Sequence, residues 1–191
     1  MEVTNLGQVN RIQIPDGWIE GPSNPYQGIG NRTLVEFHPP EAPEARLCFF
    51  YRGLPLDAQS GAKFVEIVAA NPAHTLSADE VQCLKGVLNE RADPAAFALS
   101  LAQTTDLNGR RVLMVGGQYR ESQRELMEIL IDVFGTGTVI EEIFFQAPTE
   151  LYFIYFTQVQ PALTSIEWKS SVESLVNVEP NSDTPDAAAA T

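Results

Sequence analysis

Alternation of apolar and polar positions predicts strands in the first fifty residues. Residues 9–14 alternate imperfectly and end at Pro15-Asp16-Gly17, a strong turn signal. Residues 20–31 contain two prolines and three glycines, which predicts a loop. Residues 32–40 and 45–53 predict two more strands, and the short connection between them predicts an antiparallel pair.

Helical spacing replaces this alternation after residue 60. Apolar residues recur at steps of three and four from Phe64, which predicts a helix that starts near Ser60 and ends by Pro72. Ser77 and Glu80 then stand in capping-box register, which predicts the start of a second helix. Its predicted buried stripe consists of Val81, Leu84, Val87 and Leu88.

A third short helix is predicted over residues 93–103, with Asp93 as its cap and Pro94 at its first position. Strand patterning returns at residue 104. Asn108-Gly109 is the strongest short hairpin signal and lies between two runs of apolar residues.

Residues 126–134 and 139–146, joined by the sequence GTGT, predict a further hairpin. In its first strand alternate positions share a face, which places Glu128 and Asp132 together on one side. The apolar positions Met127, Ile129, Ile131 and Val133 occupy the other side. This pattern predicts a half-buried sheet with solvated carboxylates.

The aromatic-rich segment 150–166 admits two interpretations. Its apolar residues fall at helical steps, which favours a C-terminal helix that is kinked or restarted at Pro161. The strand alternative rests on the β-propensity of Tyr, Phe and Ile. The helix is preferred because the apolar spacing continues through Ile166 past a polar stretch. The aromatic residues are then expected to belong mainly to the hydrophobic core. The predicted buried residues are Tyr152, Tyr155, Phe156, Val159, Leu163 and Ile166.

Composition limits the architecture to one domain. At 191 residues the chain suits a single α+β domain over residues 1–170, with an antiparallel sheet covered by helices. Residues 171–191 hold prolines, alanines and acidic residues but no aromatic residue, which predicts a flexible tail.

Net charge narrows the choice of partners. The formal charge of −13 disfavours nucleic acid and anionic membrane surfaces, because both carry negative charge. No apolar run approaches the roughly 20 residues that a membrane span requires. The N-terminal residues lack a secretory pattern, so we expect a cytoplasmic protein.

Metal and nucleophile chemistry find little support in the sequence. The only histidines, His38 and His74, have no second ligand at metal-binding spacing, so neither a metal nor another cofactor is predicted. No Gly-x-Ser-x-Gly elbow is present, and no catalytic residue is assigned. Cys48 and Cys83 are interpreted as two buried free thiols.

Two further motifs are explained by strand geometry. The glycine-rich residues 135–139 join two strands and lack the Gly-Lys-Ser/Thr ending of a phosphate loop. Glu141 and Glu142 are neighbours on a strand and point to opposite faces, so they do not form a catalytic pair.

The candidate binding residues come from a repeated dipeptide. Tyr51-Arg52 and Tyr119-Arg120 each close a predicted strand, where a guanidinium beside an aromatic ring can bind a carboxylate. The alternative is that each arginine stem only covers apolar surface. Trp18 and Tyr26 flank the first long loop and either line a pocket or pack structurally.

The order of these elements resembles the superfamily that contains the photosystem II protein PsbP and the Ran-binding Mog proteins. Pro15, Gly17 and Trp18 match its Pro-x-Gly-Trp turn, and Ser165 and Ile166 match its closing Ser-Ile/Leu motif. The resemblance implies an antiparallel sheet sandwiched by helices and a protein that binds other proteins.

We therefore expect a non-enzymatic protein-binding or accessory module whose partner is another protein. The alternative is a small-molecule-binding protein or enzyme with a pocket near Trp18, Tyr26, Arg52 and Arg120. A partner site should present an exposed apolar patch, whereas a ligand site should be a deep cleft with converging polar groups.

Overall fold

A computed structural model describes residues 1–22, 24–26 and 32–170; the side chains of 24–26, 32, 33 and 52 are outside that description. The strands are β1 (Glu2–Leu6), β2 (Val9–Gln13), β3 (Ile19–Glu20), β4 (Asn24–Tyr26), β5 (Arg32–His38), β6 (Arg46–Pro55), β7 (Phe97–Leu107), β8 (Arg110–Tyr119), β9 (Arg124–Asp132), β10 (Val139–Pro148) and β11 (Glu167–Trp168). The helices are α1 (Ala58–Ala69), α2 (Ala78–Cys83), α3 (Lys85–Leu88) and α4 (Thr149–Thr164), with a 3-10 turn at Asn89–Ala92.

The strands form two sheets in which every described pairing is antiparallel. The larger sheet has eight strands in the order β3-β5-β6-β10-β9-β8-β7, and β4 also pairs with β5. The smaller sheet has the order β1-β2-β11. The predicted α+β fold with an antiparallel sheet covered by helices is therefore confirmed.

Helices α1, α2 and α3 cover one face of the large sheet. Asp57 caps α1 by accepting the backbone N–H groups of Gln59 and Ser60, and the predicted capping box of Ser77 and Glu80 starts α2. The predicted apolar stripes of these helices are buried against the sheet, and this packing closes that face of the sheet to water.

The opposite face is covered by α4 and the small sheet. Pro161 lies inside α4, which continues through it to Thr164. The helix is confirmed within two residues of its predicted ends, and the strand alternative is wrong. Phe156, predicted to be buried, is half-buried and stacks on Tyr152 with ring centroids 5.2 Å apart.

The third predicted helix, over residues 93–103, is wrong. Asp93 does act as a local cap, since its Oδ1 accepts the N–H of Ala95 at 2.8 Å. The chain then leaves this turn at Phe97 and extends as β7. The strand prevails because ten of the eleven residues of β7 pair with β8, which satisfies more backbone groups than two helical turns would.

Three smaller expectations also need correction. The predicted loop 20–31 contains the short strands β3 and β4, and residues 23 and 27–31 lie outside the described residues. Strand β1 was not predicted. Cys83 is exposed, whereas Cys48 is buried and burial raises the pKa of its thiol to about 12. The predicted tail, residues 171–191, lies outside the described residues, so the domain boundary stays a prediction.

Candidate functional site

Trp18, a predicted pocket residue, is part of the core. Its side chain is buried, and its rings lie 6.3 Å from Phe145 and 6.2 Å from Tyr155 between centroids. Its indole Nε1–H donates a hydrogen bond to Oε1 of Gln158 at 3.0 Å. Trp18 thus joins the turn after β2 to the outer helix α4, which is a structural task.

The two Tyr-Arg repeats lie on different parts of the large sheet. Tyr51 is inside β6, not at its end, and packs against the core on the face that α4 and the small sheet cover. Tyr119 ends β8 and packs on the opposite face, where its ring contacts Phe97 edge-on at 5.0 Å. Strands β9 and β10 separate the two tyrosines.

The remaining candidates do not join them. Arg120 is exposed and donates from Nε to the carbonyl oxygen of Pro94 at 2.8 Å. The side chains of Tyr26 and Arg52 lie outside the described residues. The structure therefore does not bring Trp18, Tyr51, Tyr119 and Arg120 into one site, and a binding role for the set stays a prediction.

The exposed side of α4 carries an apolar surface instead. Phe153 is 70% exposed and Ile154 is 58% exposed, higher values than those of the other large exposed hydrophobic residues described. Eight positions of α4 are exposed, and Glu150 is the only charged one: Glu150, Phe153, Ile154, Thr157, Gln158, Gln160, Pro161 and Thr164. We call this surface the α4 face. Large exposed apolar residues on a helix face with a single charged residue are typical of a protein-contact surface.

A buried ionic cluster lies under the other helix layer. The guanidinium of Arg91, in the 3-10 turn, contacts the carboxylate of Glu128 on β9 and lies 3.5 Å from Glu142 Oε1 on β10. Glu128 is 1% exposed and Arg91 10% exposed. The predicted solvated position of Glu128 is wrong, because α1, α2 and α3 cover the face of the sheet that it shares with Leu126 and Leu130.

Two carboxylates share one guanidinium in this cluster. Burial and then the neighbouring charge of Glu142 raise the pKa of Glu128, against the attraction of Arg91. Burial lowers the pKa of Arg91, but the attraction of Glu128 and Glu142 outweighs it and raises that pKa overall. Arg91 therefore stays cationic, and Glu128 keeps its proton to a higher pH than a solvent-exposed glutamate does. The cluster is almost sealed from solvent, which suits packing better than catalysis.

A cleft of about 620 Å³ opens at the end of the large sheet where the β7–β8 and β9–β10 hairpins turn. Trp18, Tyr51, Tyr119 and Arg120 are not among the residues that line it. Within residues 1–22, 24–26 and 32–170, no group of three or more His, Cys, Asp or Glu residues is placed to hold a metal ion. In the same ranges no helix is both long enough and apolar enough to cross a membrane.

The solution structure of the cyanobacterial PsbP protein (CyanoP) from Synechocystis sp. PCC 6803 superimposes with a TM-score of 0.52. The match covers 88% of this chain and 92% of that chain at 10% identity. The chain has a PsbP-like fold. A crystal structure from Bacteroides thetaiotaomicron VPI-5482 gives a TM-score of 0.40 at 11% identity, over 85% of this chain and 46% of that one. No protein-family model and no curated protein matches the sequence.

The PsbP-like fold confirms the resemblance predicted from the Pro15–Trp18 turn and the element order, and at 10% identity it concerns the fold alone. The α4 face was missed at the sequence level, although a signal existed. The helical stripe from Tyr152 to Leu163 leaves Phe153 and Ile154 on its outer side. Arg91 gave no signal, because its two carboxylates come from strands about 40 and 50 residues away.

Proposed function

We propose that the protein is a non-enzymatic accessory module that binds another protein through the α4 face. The supporting observation is the pair Phe153 and Ile154, consecutive in sequence and each more than half exposed on a helix with one charge in sixteen residues. Burying a large apolar side chain contributes about 1.5–3 kcal/mol, so this pair can anchor an interface. The superfamily resemblance, whose members mostly bind proteins, points the same way.

The occupant we infer is a different protein with an apolar groove, not a second copy of this chain. Two copies would each bring a net charge of −13, and their mutual repulsion opposes association. The exposed loop residue Glu41 accepts a hydrogen bond from Tyr155 of α4, and Glu150 lies in the first turn of the helix. A groove with basic residues at its rim therefore complements the surface.

The test is quantitative affinity capture from the native cell, with wild-type protein and the double variant Phe153→Ser/Ile154→Ser as baits. The control bait is Phe134→Ser, which removes an exposed phenylalanine from the turn at the far end of β10. We expect one protein to be enriched by wild type and Phe134→Ser but not by the double variant.

The captured protein is then purified and its affinity is measured directly by calorimetry. We expect the double variant to bind at least about tenfold more weakly, which corresponds to about 1.4 kcal/mol. Circular dichroism establishes that all three baits are equally folded. Equal binding by wild type and the double variant would exclude the α4 face, and a dimer of wild type in sedimentation would replace the inferred partner by a second copy.

A further inference from the structure

The cleft at the hairpin end of the large sheet has a built polar wall. The contributing segments are the β1–β2 turn, the second half of α1, the two hairpin turns and the residues that follow α4. Charged and polar side chains of these segments line one part of the cleft, and apolar side chains line the rest. Its volume of about 620 Å³ falls within the range of about 300–1,000 Å³ for small-molecule sites.

Arg110 is held in place on three sides. Its Nη1 donates to Oε1 of Gln8 at 2.9 Å, and its Nη2 donates to the carbonyl oxygen of Asp132 at 2.6 Å. Its guanidinium carbon lies 5.5 Å from the centre of the Trp168 ring, which contributes a cation–π contact. A guanidinium has five N–H donors, and these two bonds are the ones that Arg110 makes within the described residues. Three donors are therefore left for a ligand.

Trp168 is itself fixed. Its indole Nε1–H donates to the carbonyl oxygen of Leu107 at 2.7 Å, and the next residue, Lys169, donates its backbone N–H to the carbonyl oxygen of Gln8 at 2.9 Å. The wall that presents the guanidinium is thus set before any ligand arrives, and a prearranged site loses less entropy on binding.

The charged residues that line the cleft are Arg110, Arg111, Lys169 and Asp132. The carboxylate of Glu141, which accepts the backbone N–H of Gln8, also acts electrostatically on Arg110. Arg111 also pairs with Asp106, whose oxygens lie 2.8 and 3.1 Å from its nitrogens. The Lys169 ammonium makes no ion pair with a described residue.

Both carboxylate oxygens of Asp132 accept hydrogen bonds from backbone N–H groups of the β9–β10 turn. Its Oδ1 accepts the backbone N–H groups of Phe134 and Gly135 at 3.2 and 3.1 Å, and its Oδ2 accepts that of Gly137 at 2.8 Å. These bonds shape the β9–β10 turn and satisfy the carboxylate. Asp132 makes no side-chain hydrogen bond to Arg110, whose Nη2 binds its carbonyl oxygen instead.

The rest of the cleft is apolar. Val65, Val68 and Ala69 of α1 supply one side, and Val133 and the ring of Phe134 supply another. Phe134 is 38% exposed, which leaves much of its ring available for contact. A bound molecule therefore meets cations at one end and hydrocarbon at the other.

We propose that this cleft binds a small organic acid with an aromatic or branched apolar body. Its carboxylate lies at the free N–H groups of Arg110 and near Lys169, and its body lies against α1 and Phe134. A planar guanidinium matches a carboxylate better than a point charge does. Inorganic phosphate shares the charge but lacks the body, so it should bind more weakly. This site is separate from the α4 face and does not depend on the proposed function.

The chain contains two tryptophans, which provide an internal comparison by nuclear magnetic resonance. The indole N–H of Trp168 reports on the cleft, and that of Trp18, bonded to Gln158, reports on the core. The full chain is titrated with phenylacetate and with its neutral isostere phenylacetamide. We expect a saturable shift of the Trp168 signal alone, with phenylacetamide and sodium phosphate each at least about tenfold weaker than phenylacetate.

Variants test the residues. Lys169→Met should weaken phenylacetate binding several-fold by removing a cation near the carboxylate, and it should leave the fold intact because the Lys169 side chain makes no hydrogen bond to a described residue. Phe134→Ser should weaken phenylacetate binding by loss of apolar contact. Arg110→Lys keeps the charge but removes the planar fork, and should weaken phenylacetate more than phosphate. Phe153→Ser/Ile154→Ser, the variant that tests partner binding, should bind phenylacetate like wild type.

Three results would overturn the proposal: a Trp168 signal that does not move, equal affinity for phenylacetate and phenylacetamide, or Lys169→Met and Phe134→Ser variants that both bind like wild type. Loss of phenylacetate binding in the Phe153→Ser/Ile154→Ser variant would likewise move the site to α4. Phe134→Ser is the control for partner capture and a test variant for phenylacetate binding, and the Phe153→Ser/Ile154→Ser variant has the opposite uses. Failure of one inference therefore leaves the other measurable.

Discussion

Arg91 and Glu128 form a buried ion pair across two layers of the fold, between the 3-10 turn and strand β9. Arg91 also donates from Nε to the carbonyl oxygen of Leu88 at 2.9 Å, so the same side chain ties the sheet to the end of α3. Glu142 lies on the same face of the sheet as a second carboxylate. One guanidinium thus faces two carboxylates from neighbouring strands, and its removal leaves these carboxylates without a cation where water has little access.

Arg91→Met is expected to destabilise the protein by about 3–5 kcal/mol, because it leaves buried carboxylates without their cation. Urea unfolding followed by circular dichroism measures this loss. Arg120→Met is the control, since that exposed arginine makes one hydrogen bond to Pro94, and should cost less than about 1 kcal/mol. The triple variant Arg91→Met/Glu128→Gln/Glu142→Gln should recover part of the loss. Equal stability of Arg91→Met and Arg120→Met would contradict this account of the cluster.

Glu128 should also give the protein a distinctive pH dependence. Its folded pKa lies above the ordinary value of 4.5, so above that pH the unfolded chain releases a proton that the folded chain keeps. The contribution of Glu128 to stability therefore falls as pH rises from about 4.5 until the folded carboxyl ionises, at up to about 1.4 kcal/mol per pH unit.

The measurement compares wild type with Glu128→Gln by urea unfolding over this pH range, where the variant should gain relative stability as pH increases. Glu80 titrates in the opposite sense, because hydrogen bonds from the Ser77 backbone, His74 and the Ser77 side chain hold its pKa at about 2. That contribution is lost as pH falls below 4.5, and it cancels because both proteins contain Glu80. A difference between the two proteins that does not change with pH would refute the raised pKa.

Local signals were sufficient where one segment determines its own geometry. Asn108 and Gly109 have positive φ angles of 49° and 82°, as the predicted two-residue hairpin turn requires. The capping box of Ser77 and Glu80 was predictable because its two hydrogen bonds join residues three apart. The α4 helix was predictable from apolar spacing for the same reason.

Long-range pairing decided what the sequence left open. Residues 93–103 carry helix signals, yet the pairing of β7 with β8 along almost its whole length overrides them. The strand pattern predicts a solvated Glu128, because it does not show that Arg91 of the helical layer lies against it. The cleft likewise combines Arg110, Trp168 and α1, three parts of the chain that no local pattern connects.

Gly61 provides a further test, because it lies where α1 touches the β9–β10 turn. A Cβ atom on Gly61 would overlap the carbonyl oxygen of Gly137, and one on Gly137 would overlap that of Gly61. Glycine to alanine inside a helix normally stabilises by about 0.5–1 kcal/mol. Here we expect Gly61→Ala to destabilise by about 1–3 kcal/mol, the usual effect of overpacking. Thermal and urea unfolding of Gly61→Ala measure it, and a more stable variant would show that the two backbones can separate.

The aromatic layer beneath α4 supplies the last prediction. Phe145 is fully buried, with ring centroids of Trp18, Tyr152 and Phe156 at 6.3, 5.4 and 6.1 Å. Phe145→Ala should therefore cost about 3–5 kcal/mol, a large share of a typical stability of about 5–15 kcal/mol.

Phe153→Ala is the matched control on the same layer, because its ring is 70% exposed, and it should change stability by less than about 0.5 kcal/mol. Phe156→Ala should fall between the two, since Phe156 stacks on Tyr152 but is only half-buried. Urea unfolding of the three variants gives the order directly. If Phe153→Ala destabilised the protein as much as Phe145→Ala, the ring of Phe153 would have to be buried in the isolated protein, and the α4 face would lose its role as a surface for a partner.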